Sequence, residues 1–259
     1  MTDDAPLLVS DHGAVRVLTL NVPERRNALT VPLRRALRAA LETAHADDGC
    51  RALVVTGSGK HFSSGGDISS MPQNDRADAR DRLHLVADVI SLLIEGPLPV
   101  VAAVEGAAVG AGTSLAVACD LIVSARGARY GSIFGRIGLV ADSGLSWTLP
   151  RKVGPGAARR LMLRGEIVGA EEAHRIGLVD ELVDDGSALS VALERAQELT
   201  RAAPLALAAT KRLLADPPES LAAALHAEET EQVALFETDD FAEGRAAFLE
   251  KRTPEFRGR

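Results

Sequence analysis

Apolar residues in this chain fall into two kinds of pattern: short unbroken runs and stripes at helical spacing. The segment 7–20 carries two strand-like runs parted by Asp11-His12-Gly13, which reads as a hairpin turn. A loop, NVPERRNAL (21–29), follows, after which Thr30 can cap a helix and Pro32 suits its first turn. Leu33, Leu37, Ala40, Leu41 and Ala44 recur every three to four residues, predicting an amphipathic helix over 31–47. ALVVT (52–56) is a short apolar run closed by Gly57 and Gly59, the pattern of a buried strand. A Gly/Ser loop spans 57–66. A helix is then predicted over 76–95, carrying Leu83, Val86, Ala87, Ile90 and Leu93 and ended by Pro97 and Pro99. Residues 100–104 and 121–124 read as further buried strands, with a glycine-rich turn over 106–112 and a short helix over 113–118 between them.

Strands without polar alternation need cover on both faces, and their alternation with helices argues an α/β fold with mostly parallel strands. Beyond 155 the pattern changes to Ala/Leu/Glu/Arg helical segments, with only 178–183 reading as a strand. The expected division is an α/β core over 1–195 and a helical C-terminal region over 196–259.

Composition narrows the function. The chain has 259 residues, a formal net charge of −7 and 46% hydrophobic residues, but only 3% aromatic ones, so its core is built from Ala, Val, Leu and Ile. The acidic balance counts against nucleic acid as a partner. No apolar run reaches the length of a membrane span, and the acidic start Met1-Thr-Asp-Asp does not resemble a secretory signal. Cys50 and Cys119 form neither a CxxC motif nor a disulfide framework. A cytoplasmic protein without membrane contact is expected.

Several glycine patterns imitate known sites and fail on inspection. TGSGKH (56–61) lacks the first glycine of a phosphate loop and has His61 where Ser or Thr belongs. Gly57-x-Gly59 has Phe62 in place of the third glycine of a dinucleotide fingerprint. Gly112-Thr-Ser114-Leu-Ala116 falls one glycine short of a nucleophile elbow. The six histidines show no metal-ligand spacing, so no metal or other cofactor is expected.

Two glycine-rich turns remain, each after a buried strand: Ser63-Ser-Gly-Gly-Asp-Ile and Gly110-Ala-Gly-Thr. Small residues there let a carbonyl approach the main chain, whose unpaired N–H groups suit a developing oxyanion. Read from the pattern alone, both are more readily ordinary tight βα turns.

With their flanks they carry a resemblance. NVPERRNAL (21–29), HFSSGGDI (61–68), PVVAAVEGAAVGAGTSLAVACD (99–120), ARYGSIFGRIGLVADSGLSWTLPRKVG (128–154), AEEAHRIGLVDELV (170–183) and EGRAAFLEKRTPEF (243–256) together resemble the crotonase, or enoyl-CoA hydratase/isomerase, family. The resemblance implies a ClpP/crotonase-like spiral of ββα units with a helical C-terminal region. It implies homo-oligomers, trimers or dimers of trimers, and an acyl-CoA substrate with no separate cofactor. The thioester oxygen would sit between the main-chain N–H groups of Gly66 and Ala111. Adenine would lie near the main chain of Ser64 and Ile68, and Arg25 and Ala28 near the phosphates and pantetheine. Phe248 and Lys251 would help close the site, of this or a neighbouring subunit.

The two glutamates used by family hydratases correspond to Ser114 and Phe134, neither of them acidic. Phe134 and Leu139 are expected to wall the acyl pocket instead. Asp142 stands where the ring-1,2-epoxyphenylacetyl-CoA and Δ3,Δ2-enoyl-CoA isomerases of the family carry their single base, so isomerase is the favoured reading. A helix cap over 143–151 is the bland alternative for Asp142. Hydratase is the near rival. Dehalogenation lacks its histidine, whose place is Ala87, and a silent acyl-CoA-binding relative is the non-enzyme alternative.

Overall fold

The computed structural model describes residues 5–71 and 74–259. Strands β1 (Leu7–His12) and β2 (Val15–Leu20) form an antiparallel hairpin that turns at Gly13, whose φ of 66° suits a residue without Cβ. Helix α1 (Val31–His45) is capped by the Thr30 side chain, which accepts from the Leu33 amide. It buries Leu33, Leu37, Leu41 and Ala44. Truncating such a leucine to alanine costs about 2–5 kcal/mol.

Strand β3 (Ala52–Gly57) leads through the Gly/Ser loop to α2 (Arg76–Glu95), which buries Val86, Val89, Ile90 and Leu93. Leu83 and Ala87, expected on the apolar face, are exposed there. Strand β4 (Val100–Val104), β5 (Ala107–Val109) and α3 (Ala111–Val117) make the next ββα unit. Strand β6 (Leu121–Ala125), β7 (Arg129–Gly131) and α4 (Leu145–Arg164) make another. Helix α4 is interrupted at Gly154, where φ is 75°.

The larger sheet runs β1-β2-β3-β4-β6-β9, with β9 at Glu181–Val183, and every pairing after the hairpin is parallel. Period-two alternation divides its residues between two cores. Leu18, Leu53, Val55, Val100 and Ala102 join the leucines of α1 on one face. Val15, Val17, Ala52, Val54, Val101 and Ala103 meet Ala188, Ala192 and Ala196 of α6 (Ala188–Leu199) on the other. The boundary expected at 195 therefore falls inside a helix that covers the sheet.

A smaller sheet, β5-β7-β8, with β8 at Ile167–Gly169, is absent from the sequence reading. Three-residue strands are too short to show a period. Helix α5 (Ala170–Arg175) links β8 to β9, and α7 (Pro204–Ala215), α8 (Leu221–Phe236) and α9 (Asp239–Glu250) complete the chain. This is the expected α/β spiral of ββα units with a helical C-terminal region.

Candidate active site

The site starts from Asn27. Fully buried, with φ of 53°, it donates from Nδ2 to the Ser58 and His61 carbonyls at 2.9 and 2.7 Å and accepts the Val22 amide on Oδ1 at 2.9 Å. This side chain fastens the 21–29 loop to the Gly/Ser loop. Asparagine tolerates the left-handed region better than most residues, and here its amide also satisfies three main-chain groups. Ser63 continues the fastening: its hydroxyl donates to the Asn27 carbonyl at 2.8 Å and accepts the Gly65 amide at 3.2 Å.

Main-chain bonds then bring the second glycine turn to the first. Ser63 donates to Ala107 at 2.9 Å and accepts from Val109 at 3.1 Å, while Leu29 donates to Gly65 at 2.7 Å. The approach is close enough to require glycine. A Cβ on Gly65, whose φ is 93°, would stand 2.6 Å from the Val109 carbonyl and 3.0 Å from the Ala111 nitrogen. One on Gly112 would stand 2.4 Å from the Ser63 carbonyl. The two turns thus lie against each other with Gly66 and Ala111 at their meeting. Neither amide donates to a protein acceptor among the described residues. Ala111 lies outside the positive-φ region, so its methyl is no obstacle.

Beside this junction lies a cavity of about 270 Å³. Leu29, Met71, Leu83, Leu139 and Val140 give it an apolar lining, and Arg34 and Asp142 supply charge. Val31, Asp67, Ser70 and Arg82 are shared with an open groove of about 800 Å³ that runs past Asn21, Pro23 and Arg25. Arg25 pairs with Asp67 at 3.0 Å between them. The Ser69 hydroxyl, 2.6 Å from Asp67, and the Arg25 guanidinium hold that carboxyl below the usual range. Ser64 donates its amide to the Arg26 carbonyl at 2.8 Å and its hydroxyl to the Arg25 carbonyl at 3.1 Å. Of the residues expected to meet the nucleotide and pantetheine, Arg25 lines the groove, whereas Ala28 is buried and neither it nor Ser64 nor the exposed Ile68 is among the groove's lining residues.

Asp142 is half-buried and faces the cavity. It caps no helix: α4 begins at Leu145 after Gly144, and the Asp142 carboxylate instead accepts the Ser143 hydroxyl at 2.8 Å. Ser143 has φ of 55°, a conformation unusual for serine that sets the direction of the chain at this point. The fully buried Ser114 hydroxyl donates to the Asp142 carbonyl at 3.2 Å. Phe134 does not wall the cavity. It is buried in the main core and is not among the cavity's lining residues, whereas Leu139 and Val140 are. Phe248 and Lys251 lie exposed on and after α9, apart from groove and cavity in this chain.

Asn27, Ser63 and Arg34 were missed by the sequence reading. Asn27 and Ser63 sit inside motifs already singled out, and an asparagine between two loops is a signal in itself. Arg34 looks like one more solvated charge on a helix. Among the described residues no three His, Cys, Asp or Glu side chains cluster as metal ligands, and no helix is long and apolar enough to cross a membrane.

Residues 10–259 match the family model described as enoyl-CoA hydratase/isomerase. A probable enoyl-CoA hydratase of Rhodobacter capsulatus is 42% identical over 247 residues, covering 94% of each chain. The 1,2-epoxyphenylacetyl-CoA isomerase of Escherichia coli is 33% identical over 250 residues, covering 95% of each. The solved structure of DspI from Pseudomonas aeruginosa superposes with a TM-score of 0.92 at 36% identity, covering 99% of this chain and 98% of that one. With paired glycine turns, a cavity and a groove in one continuous arrangement, and a match over nearly its whole length, the chain belongs to the enoyl-CoA hydratase/isomerase family and is an enzyme of acyl-CoA thioesters.

Proposed function

We propose that the enzyme is an enoyl-CoA isomerase, acting on a double bond or a ring epoxide, with Asp142 as its single base. In the double-bond reaction a 3-enoyl thioester lies in the cavity with its carbonyl oxygen between the Gly66 and Ala111 amides. Asp142 removes a proton from Cα and the electrons move onto the thioester oxygen, where the two N–H groups stabilise them. The protonated Asp142 then returns the proton at Cγ, leaving the double bond between Cα and Cβ. One carboxylate serves both steps.

The observation that carries this reading is the distribution of acids. Of the two carboxylates lining the cavity, Asp67 is engaged by Arg25 and Ser69, whereas Asp142 has no ionic partner within 4 Å among the described residues. The places of the hydratases' two glutamates hold Ser114 and Phe134, both buried. The groove would take the nucleotide and pantetheine past Arg25, Ala28, Ser64 and Ile68. Phe248 and Lys251 would complete a neighbouring subunit's site within a trimer or hexamer.

Hydratase is the second reading, and the names of relatives favour it: most of the curated relatives matched carry a hydratase name. Supplying purified enzyme with 3-hexenoyl-CoA and, separately, 2-hexenoyl-CoA, with the isomeric thioesters separated by chromatography and the hydrated product identified by its added water mass, separates the two. Isomerisation faster than hydration supports the proposal, and the reverse order assigns a hydratase.

A further inference from the structure

Three arginines line the groove and cavity, and two of them are neutralised. Arg25 pairs with Asp67 at 3.0 Å and Arg82 with Asp78 at 2.8 Å. Arg34 has no carboxylate within ion-pair distance among the described residues. Its Nε donates to the Leu29 carbonyl at 2.8 Å and its Nη1 to the Arg82 carbonyl at 3.0 Å. Those bonds fix the plane of the guanidinium and leave Nη2 without a protein acceptor among the described residues. That nitrogen is 3.9 Å from where a Gly66 Cβ would stand, so it lies beside the turn that offers the Gly66 amide. Burial pushes Arg34 below the usual guanidinium range, and the charge of Asp142 in the same cavity opposes this.

We infer that Arg34 is a specificity residue whose free Nη2 hydrogen-bonds an oxygen on the acyl group, so that the cavity selects oxygen-bearing acyl thioesters over plain hydrocarbon ones. The substrate class thereby named rests on the isomerase reading given above. A hydrocarbon chain that fills the cavity displaces water from Nη2 and supplies no acceptor, leaving a charged donor unpaired. The tethered guanidinium cannot swing into solvent to escape that cost without losing two further hydrogen bonds. An ether, epoxide or carboxylate oxygen removes the penalty. A pocket built around a polar contact discriminates far more strongly than one reading hydrocarbon shape alone.

The test uses unreactive saturated thioesters and calorimetry on the full chain, in pairs sharing the same CoA. Tetrahydrofuran-2-ylacetyl-CoA and cyclopentylacetyl-CoA differ by one ring oxygen near the thioester, while adipyl-CoA and hexanoyl-CoA differ at the far end. The oxygen-bearing member of at least one pair should bind about 10- to 100-fold tighter. Preference in the first pair locates the acceptor near the thioester, and preference in the second identifies a distal carboxylate. Arg34→Met should bring the ratio close to one. Equal affinities within both pairs for the wild-type enzyme overturn the inference, as does a preference that survives in Arg34→Met. Because the wild-type comparison stands alone, a variant that fails to fold does not shield the claim. Equal affinities in an enzyme that still isomerises 3-enoyl-CoA overturn this inference alone, whereas a clear preference without isomerisation overturns the isomerase reading alone.

Discussion

The buried hydroxyl of Ser114 donates to the main-chain carbonyl of Asp142 at 3.2 Å, tying helix α3 to the acid that faces the cavity. The family resemblance sets Ser114 against a hydratase glutamate, and in this structure its hydroxyl holds another residue's backbone. Ser114→Ala should remove that tether without changing any group that meets the thioester. We expect kcat to fall about tenfold while KM changes little, because a loosened base is less often in reacting geometry. Steady-state kinetics decides; a raised KM with kcat unchanged would place Ser114 in binding instead.

The paired amides give a second prediction. Gly66→Pro deletes one N–H at a position outside the positive-φ region, and a Cβ there meets the flexible end of Met71 at 2.8 Å and, in ordinary contact at 3.9 Å, Nη2 of Arg34. Turnover should drop about 10²- to 10³-fold. Full activity in a folded Gly66→Pro protein would place the oxyanion site elsewhere.

Helix α8 buries no residue, and Leu221, Leu225, Val233 and Phe236 are exposed along it. An apolar face of this kind on the last helices calls for a partner copy. Light scattering should give three or six times the 27.2 kDa chain mass. A stable monomer at micromolar concentration contradicts this, and with it the role of Phe248 and Lys251 in a neighbour's site.

Stability should also depend on pH through His45. Its Nε2 is buried without a hydrogen-bond partner, and burial, with Lys211 nearby, lowers its pKa in the folded chain. A histidine depressed in this way binds its proton more readily when unfolded. Its contribution is therefore complete above the ordinary histidine pKa near 6.5 and is lost as pH falls through that value toward the lower folded one. Melting temperature should decline from pH 7 to pH 5, and less steeply in His45→Gln. Identical slopes would show that His45 is not the group responsible.

Long elements with a clean period were legible in the sequence. Helix α2 lies over 76–95 as its apolar spacing and flanking prolines indicate, and the Thr30 cap of α1 is where its residue type puts it. What escaped was decided by tertiary contact. Strands β5, β7 and β8 have three residues each and exist because partners reach them. Phe134 reads as a pocket wall, yet it is buried in the main core, because a large apolar residue suits either place equally. Gly66 and Ala111 stand out in the sequence because motif and resemblance point to them together, and Asp142 because the resemblance does. Arg34 escaped because nothing local separates a cavity arginine from a surface one on the same helix.

The central claim is that one carboxylate moves the proton. Asp142→Asn keeps the shape of the side chain, and the Asn oxygen can still accept the Ser143 hydroxyl that Asp142 accepts at 2.8 Å, but it removes the base. The decisive measurement is the rate of 3-enoyl-CoA to 2-enoyl-CoA conversion in wild type and Asp142→Asn, with acetoacetyl-CoA affinity followed by calorimetry on the same samples. The account predicts that isomerisation falls by at least about 10²-fold while affinity stays within a few-fold, because the lost group acts mainly in the transition state. Isomerisation undiminished in Asp142→Asn, or brisk hydration of crotonyl-CoA that survives the substitution, would contradict it.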